Sequence, residues 1–116
     1  MAQEISISVS SNITLNGQTA SGSTSFRLDL ANDYLGQEQN IGTTSTPLDF
    51  GDITSMKTLY IRNLDTTNNV TVDSNTAFTN FPQVIPPGCA IMLLPQTVTI
   101  YAKATTAPVK VFLVAG

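Results

Sequence analysis

The chain has no histidine, no tryptophan, one cysteine and only five basic residues among 116. Each shortage removes a class of chemistry. Nucleophilic and general acid–base catalysis most often draw on histidine, so Ser-His-Asp and Cys-His arrangements are excluded. Histidine-based metal sites go with them, and one cysteine can build neither a thiolate zinc site nor an intrachain disulfide. The basic residues Arg27, Lys57, Arg62, Lys103 and Lys110 are dispersed, the net charge is −3 and the pI is near 4.4. Nucleic-acid binding needs clustered Lys and Arg on phosphate, or a basic groove beside stacking aromatics. No nucleic-acid partner is therefore expected. Nor does any stretch approach the roughly 18 consecutive apolar residues of a membrane span, so no membrane partner is expected either. Met1-Ala2-Gln3-Glu4 lacks the basic and apolar regions of a secretory signal. That points to synthesis and folding in a reducing cytosol, leaving the final destination open.

Charge is scarce as well. Charged residues make up 11% of the chain, less than half the usual share, and Ser, Thr and Asn take their place. Hydrophobic content of 41% and the small net charge do not fit the signature of disorder. The length suits one domain, expected to span 1–116. The Asn12-Ile13-Thr14 and Asn69-Val70-Thr71 triplets match a glycosylation sequon, a match that a Ser/Thr/Asn-rich chain produces by chance.

The clearest local signal lies in the first thirty residues. Asn16-Gly17 is a favoured dipeptide for a two-residue hairpin turn, because both positions tolerate positive φ. That turn pairs Ile5 with Leu28, Ile7 with Phe26, Val9 with Thr24 and Ile13 with Ala20. Apolar side chains then share one face, while Ser6, Ser8 and Ser10 meet Arg27, Ser25 and Ser23 on the other. A slip of one residue would reverse every side chain, so turn and face pattern support each other.

Beyond it, Ala31 to Gly36 reads as a loop or one helical turn, Gln39 to Thr44 as a short strand, and Pro47 with Asp49-Phe50-Gly51-Asp52 as a turn region. Thr58 to Leu64 is a strand with Leu59 and Ile61 on one face and Tyr60 and Arg62 on the other. A polar turn, Asp65 to Asn69, leads into the strand Val70-Thr71-Val72. The segment Phe78 to Gly88 is apolar but carries three prolines, which confines it to loop or sheet edge. Ala90 to Leu94, ended by Pro95, reads as a short buried strand. Val98, Ile100 and Ala102 alternate with Thr97, Thr99, Tyr101 and Lys103, and Val109, Val111 and Leu113 alternate with Lys110, Phe112 and Val114. A four-residue loop would make these a hairpin pairing Ile100 with Val111. No stretch sustains a 3.6-residue period. The expected fold is an all-β, antiparallel β-sandwich of one domain, a jelly roll being one such arrangement.

The remaining motifs point to structure. Cys89, between a Pro-Pro-Gly turn and an apolar strand, reads as a small buried hydrophobe. Asp49-Phe50-Gly51 spells a kinase tripeptide without any other kinase element, so it reads as a turn. The pairs Asp49/Asp52 and Asp29/Asp33 sit beside Gly or Asn, where Asp side chains bond nearby backbone; a glycosidase would hold two carboxylates across a cleft. Asp65, Asn68, Asn69, Asp73 and Asn75 are clustered oxygen donors, but they depart from the calcium-loop pattern and read as a solvated turn. No cofactor or metal is expected, and no enzyme activity. Sugar binding would favour exposed aromatics; Tyr34, in a loop, is the candidate, since Tyr60 and Tyr101 lie in strands.

Several stretches together carry a resemblance. They are the Ile5-Ser6-Ile7-Ser8-Val9 strand, Ile41-Gly42-Thr43-Thr44, Leu48-Asp49-Phe50-Gly51-Asp52-Ile53, Tyr60-Ile61-Arg62-Asn63-Leu64-Asp65, the Pro-Gly turn with its apolar run, and Val111-Phe112-Leu113-Val114. Over nearly its whole length the chain resembles the small virion structural proteins of tailed bacteriophages. The match is most specific at Arg62-Asn63-Leu64-Asp65. The resemblance implies a β-sandwich subunit repeated on the particle, with no catalytic residues to carry over. The favoured role is a capsid decoration, or cement, protein on the virion, assembled in the host cytoplasm. Its partners would be the major capsid protein or other virion proteins and further copies of itself, with a trimer the favoured homo-oligomer. A tail or fibre component is the neighbouring alternative, and a carbohydrate- or receptor-binding adhesin the rival from another class. Expected contact residues are Tyr34, Phe78, Phe81, Val84 and Ile85, together with the N-terminal residues, because these apolar side chains have no assured place in the core.

Overall fold

A computed structural model describes residues 4–29, 35–54, 56–95 and 99–116. The chain gathers into two compact units, residues 1–31 and 32–116.

The first unit is an antiparallel ribbon of β1 (Glu4–Leu15) and β2 (Gln18–Asp29). Asn16 and Gly17 both have positive φ, 52° and 76°, as the two-residue turn requires. The register pairs Ile5 with Leu28, Ile7 with Phe26, Val9 with Thr24 and Ile13 with Ala20, as the sequence predicts. Strands of 12 residues make a ribbon about 40 Å long. Thr14 and Thr19 hydroxyls meet across it at 3.1 Å. Near its base Arg27 pairs with Glu4 at 3.7 Å, both side chains well exposed, an arrangement that contributes little stability.

Among its described residues the second unit holds eight strands: β3 (Leu35–Ile41), β4 (Thr46–Pro47), β5 (Leu59–Asn63), β6 (Val70–Asp73), β7 (Gln83–Ile85), β8 (Ala90–Leu93), β9 (Tyr101–Ala104) and β10 (Val109–Ala115). They form two four-stranded sheets, β3-β10-β5-β8 and β4-β9-β6-β7, with every pairing antiparallel. The fold is therefore all-β and sandwich-like. The pairings are nested: β6 meets β7, β5 meets β8, β4 meets β9 and β3 meets β10. Alternation drives the burial. Leu59 and Ile61 from one sheet, Val70, Val72 and Ala102 from the other, and Val109, Val111 and Leu113 of β10 enter a single core. Burying a side chain such as Leu113 fully is worth about 1.5–3 kcal/mol.

Four expectations are corrected. Residues 100–104 and 109–115 do not form a hairpin: β9 pairs with β4 and β6, and β10 with β3 and β5. Each strand buries one face in the same core, so alternation alone fits either a hairpin or a switch of sheets. Pro47 belongs to β4, an edge strand, the position in a sheet where a missing N–H is tolerated. β8 is an edge strand, exposed at Ala90 and half-buried from Ile91 to Leu93, where a buried strand was expected. Cys89, expected in the interior, is exposed.

Local turn chemistry agrees with expectation at Asp49-Phe50-Gly51. Gly51 has φ +61° and its N–H donates to Asp49 Oδ1 at 2.9 Å. The segment Gln83–Ile85 is an edge strand, as its prolines predict.

Candidate interaction surface

The surface centres on Asp73, the last residue of β6, which is buried. Its carboxylate accepts N–H groups from Ser74 at 2.6 Å, Asn80 at 3.0 Å and Phe81 at 3.1 Å. Burial pushes the Asp73 carboxyl up, but these backbone donors outweigh it and hold the group below the ordinary carboxylate range. The loop between β6 and β7 is thereby fixed at both ends by one side chain.

Within the loop, Asn75 organises a turn. Phe78 N–H donates to Asn75 O at 3.3 Å and Thr79 N–H to Asn75 Oδ1 at 3.1 Å, while Asn75 Nδ2 donates to Thr79 Oγ1 at 2.9 Å. Phe78 takes a φ of 55°, uncommon for a bulky residue. Lys103 Nζ lies 4.5 Å from its ring centroid, a cation–π contact.

Asp65, Asp73 and Asn75, three of the five oxygen donors that the sequence clusters here, are engaged by the chain itself. Asp65 Oδ2 accepts from Thr67 N–H at 2.9 Å and Asn68 N–H at 2.6 Å. Those bonds, with that from Asn68 first, hold its carboxyl below the ordinary range. Among the described residues no group of three or more His, Cys, Asp or Glu side chains could hold a metal ion.

Beyond the pinned loop, Phe81 is 75% exposed, Val84 54% and Leu94 55%. Phe81 and Leu94 border a hollow of about 270 Å³, lined also by Val72, Leu93 and Ile100, with Asp73 the one charged residue among its described lining. Both sheets contribute to it, β6 and β7 from one and β8 from the other. Val84 is exposed on edge strand β7, on the face opposite Gln83, which lines the hollow. Phe81 and Leu94 make an apolar shelf beside the loop that Asp73 pins.

The expected contact residues divide. Phe81 lies on this shelf, and Val84 is exposed on the outer face of β7. Phe78 is half-buried under Lys103. Ile85 is corrected: it is fully buried and belongs to the core, because strand alternation sends it inward when Val84 points out. Tyr34 lies outside the described residues. Leu94 was missed; β8 ends at Leu93, and Pro95 directly after Leu94 was the available signal.

Fold and surface together define a class: an antiparallel β-sandwich presenting an apolar shelf where β6 and β8 end. No protein-family model, curated protein or solved structure matches the chain.

Proposed function

We propose that this chain is a non-enzymatic structural protein of a phage particle, and specifically a capsid decoration protein seated on the assembled shell. The observation that carries this reading is the shelf of Phe81 and Leu94, with Val84 exposed on the outer face of neighbouring edge strand β7, beside a core that these side chains do not enter. Such side chains suit an exposed face that a protein partner covers. We also infer that the nested strand order is that of an eight-stranded jelly roll. That architecture recurs in viral capsid domains, in lectins and in cupins. A subunit that binds the assembled shell in preference to its free components stabilises the shell by mass action. Repetition over many equivalent positions multiplies a small contact.

Purified particles provide the test. Hundreds of copies per particle, with binding restored to stripped shells by the wild type and abolished by Phe81→Ser, would support decoration. A few dozen copies or fewer would move the protein to the tail or fibre. Since jelly rolls also serve lectins, saturable binding on a glycan array with no affinity for shells would replace the proposal by the adhesin reading.

A further inference from the structure

The N-terminal ribbon offers a second surface, one that stands whether or not the chain belongs to a virion. Its two faces differ. Ser8, Ser10, Asn12 and Thr14 meet Ser25, Ser23, Ser21 and Thr19 on one side, while the other carries Val9, Ile13, Leu15 and Ala20, interspersed with Ser11, Gln18, Gly22 and Thr24. On that side Val9 is 45% exposed, Ile13 64% and Leu15 70%. Among the described residues the two strands pair only with each other, and a two-stranded ribbon is marginal in water. A ribbon of this length therefore calls for a cover.

Its composition indicates which one. From Ile5 to Phe26 there is no charged residue and no proline. A lipid surface or a nucleic acid would be met by Lys or Arg, and this stretch has neither. Identical ribbons meeting across a symmetry axis bring like residues together, so any charge near the axis would face its own copy; an uncharged face avoids that repulsion. Both long edges are also open to strand addition, without the charges or prolines that commonly block it.

We propose that the apolar face of residues 9–20 is a self-association surface, on which the ribbon of one copy stacks against the ribbon of another. Ile13 and Leu15 lie at its turn end.

Sedimentation velocity on the full chain between about 1 and 100 µM tests this. The wild type should be a concentration-dependent oligomer. Ile13→Lys with Leu15→Lys should weaken association at least tenfold, while Asn12→Lys with Thr14→Lys, on the opposite face, should leave it intact. A wild type that stays monomeric throughout, or a double apolar-face variant that keeps its oligomer, overturns the proposal. Amide exchange of the wild type gives a reading that needs no variant. Protection at residues 9–24 should rise with protein concentration, and protection that ignores concentration overturns it as well.

Discussion

Replacing Asn63 by alanine tests what closes the sandwich. Asn63 ends β5 and is fully buried. Its Nδ2 donates to Asn68 O at 2.8 Å and to Ile85 O at 3.0 Å, and its Oδ1 accepts from Asp65 N–H at 2.9 Å. Ile85 belongs to β7 in the opposite sheet, so one amide ties the two sheets and closes the 64–69 turn. Alanine orphans the buried Ile85 carbonyl, costing about 1–3 kcal/mol. The two part-buried bonds can be replaced by water and should cost about 0.5–1.5 kcal/mol each. The sum is about 2–6 kcal/mol, centred near 4, and at that centre the Tm falls by about 16–32 °C for a unit of this size. The backbone bonds from Asn63 N–H to Cys89 O and from Gly88 N–H to Asn63 O survive the change, so the strand itself should persist. With no tryptophan in the chain, urea unfolding is followed by circular dichroism. Asn63→Asp keeps the acceptor but replaces both donors with a carboxylate oxygen facing two carbonyls. It should be at least as damaging at neutral pH. A loss under about 1 kcal/mol for alanine, or an Asn63→Asp substitution that the fold tolerates, would refute the assignment of this residue as the inter-sheet tie.

Three other outcomes are expected. Asp73 titrates below its ordinary value of 3.8 when folded, so its contribution is complete above that value and is lost as pH falls through the lowered folded value; Asp73→Asn should flatten this part of the acid-unfolding curve, and an unchanged acid limb would count against the capping role. Gly17→Ala places a Cβ at φ 76° and should cost the ribbon about 1–2 kcal/mol, seen as faster amide exchange at residues 9–24; unaltered exchange would reject the turn assignment. Cys89, being exposed, should react with a thiol reagent in the native protein as fast as in urea, whereas native protection would return it to the interior.

How far the fold could be read depended on the distance over which each pairing acts. The ribbon was legible because Asn16-Gly17 fixes a register and the alternation of Ile7, Val9 and Ile13 checks it independently. The sandwich register was not, because every pairing but β6–β7 joins strands that are not neighbours in sequence. Val109 and Val111 announce a buried face without saying which strand lies beside it. At the surface, Val84 and Ile85 are adjacent apolar residues, and only the placement of β7 decides which points out. Asn63 is the instructive omission. It shares the inward face of Leu59 and Ile61, so a polar residue continuing an apolar alternation was visible as a candidate for a buried, fully bonded amide.

The distribution of proline separates the roles of the two units. All six prolines fall after residue 46, and most mark the sandwich's edges. Pro47 lies in β4, Pro82 and Pro86 bracket β7, and Pro95 follows the end of β8, while the remaining edge strand, β3, carries Glu38 in an ion pair with Lys110 at 3.6 Å. Short, proline-marked or charged edges discourage strand addition, so what the sandwich offers a partner is side chains, Phe81, Val84 and Leu94, on a backbone that resists pairing. The ribbon is the reverse case, with two long edges lacking both charge and proline from Ile5 to Phe26. A chain that guards one set of edges and leaves the other open has a physical basis for two different contacts, a side-chain contact with a dissimilar partner through the shelf and self-association through the ribbon.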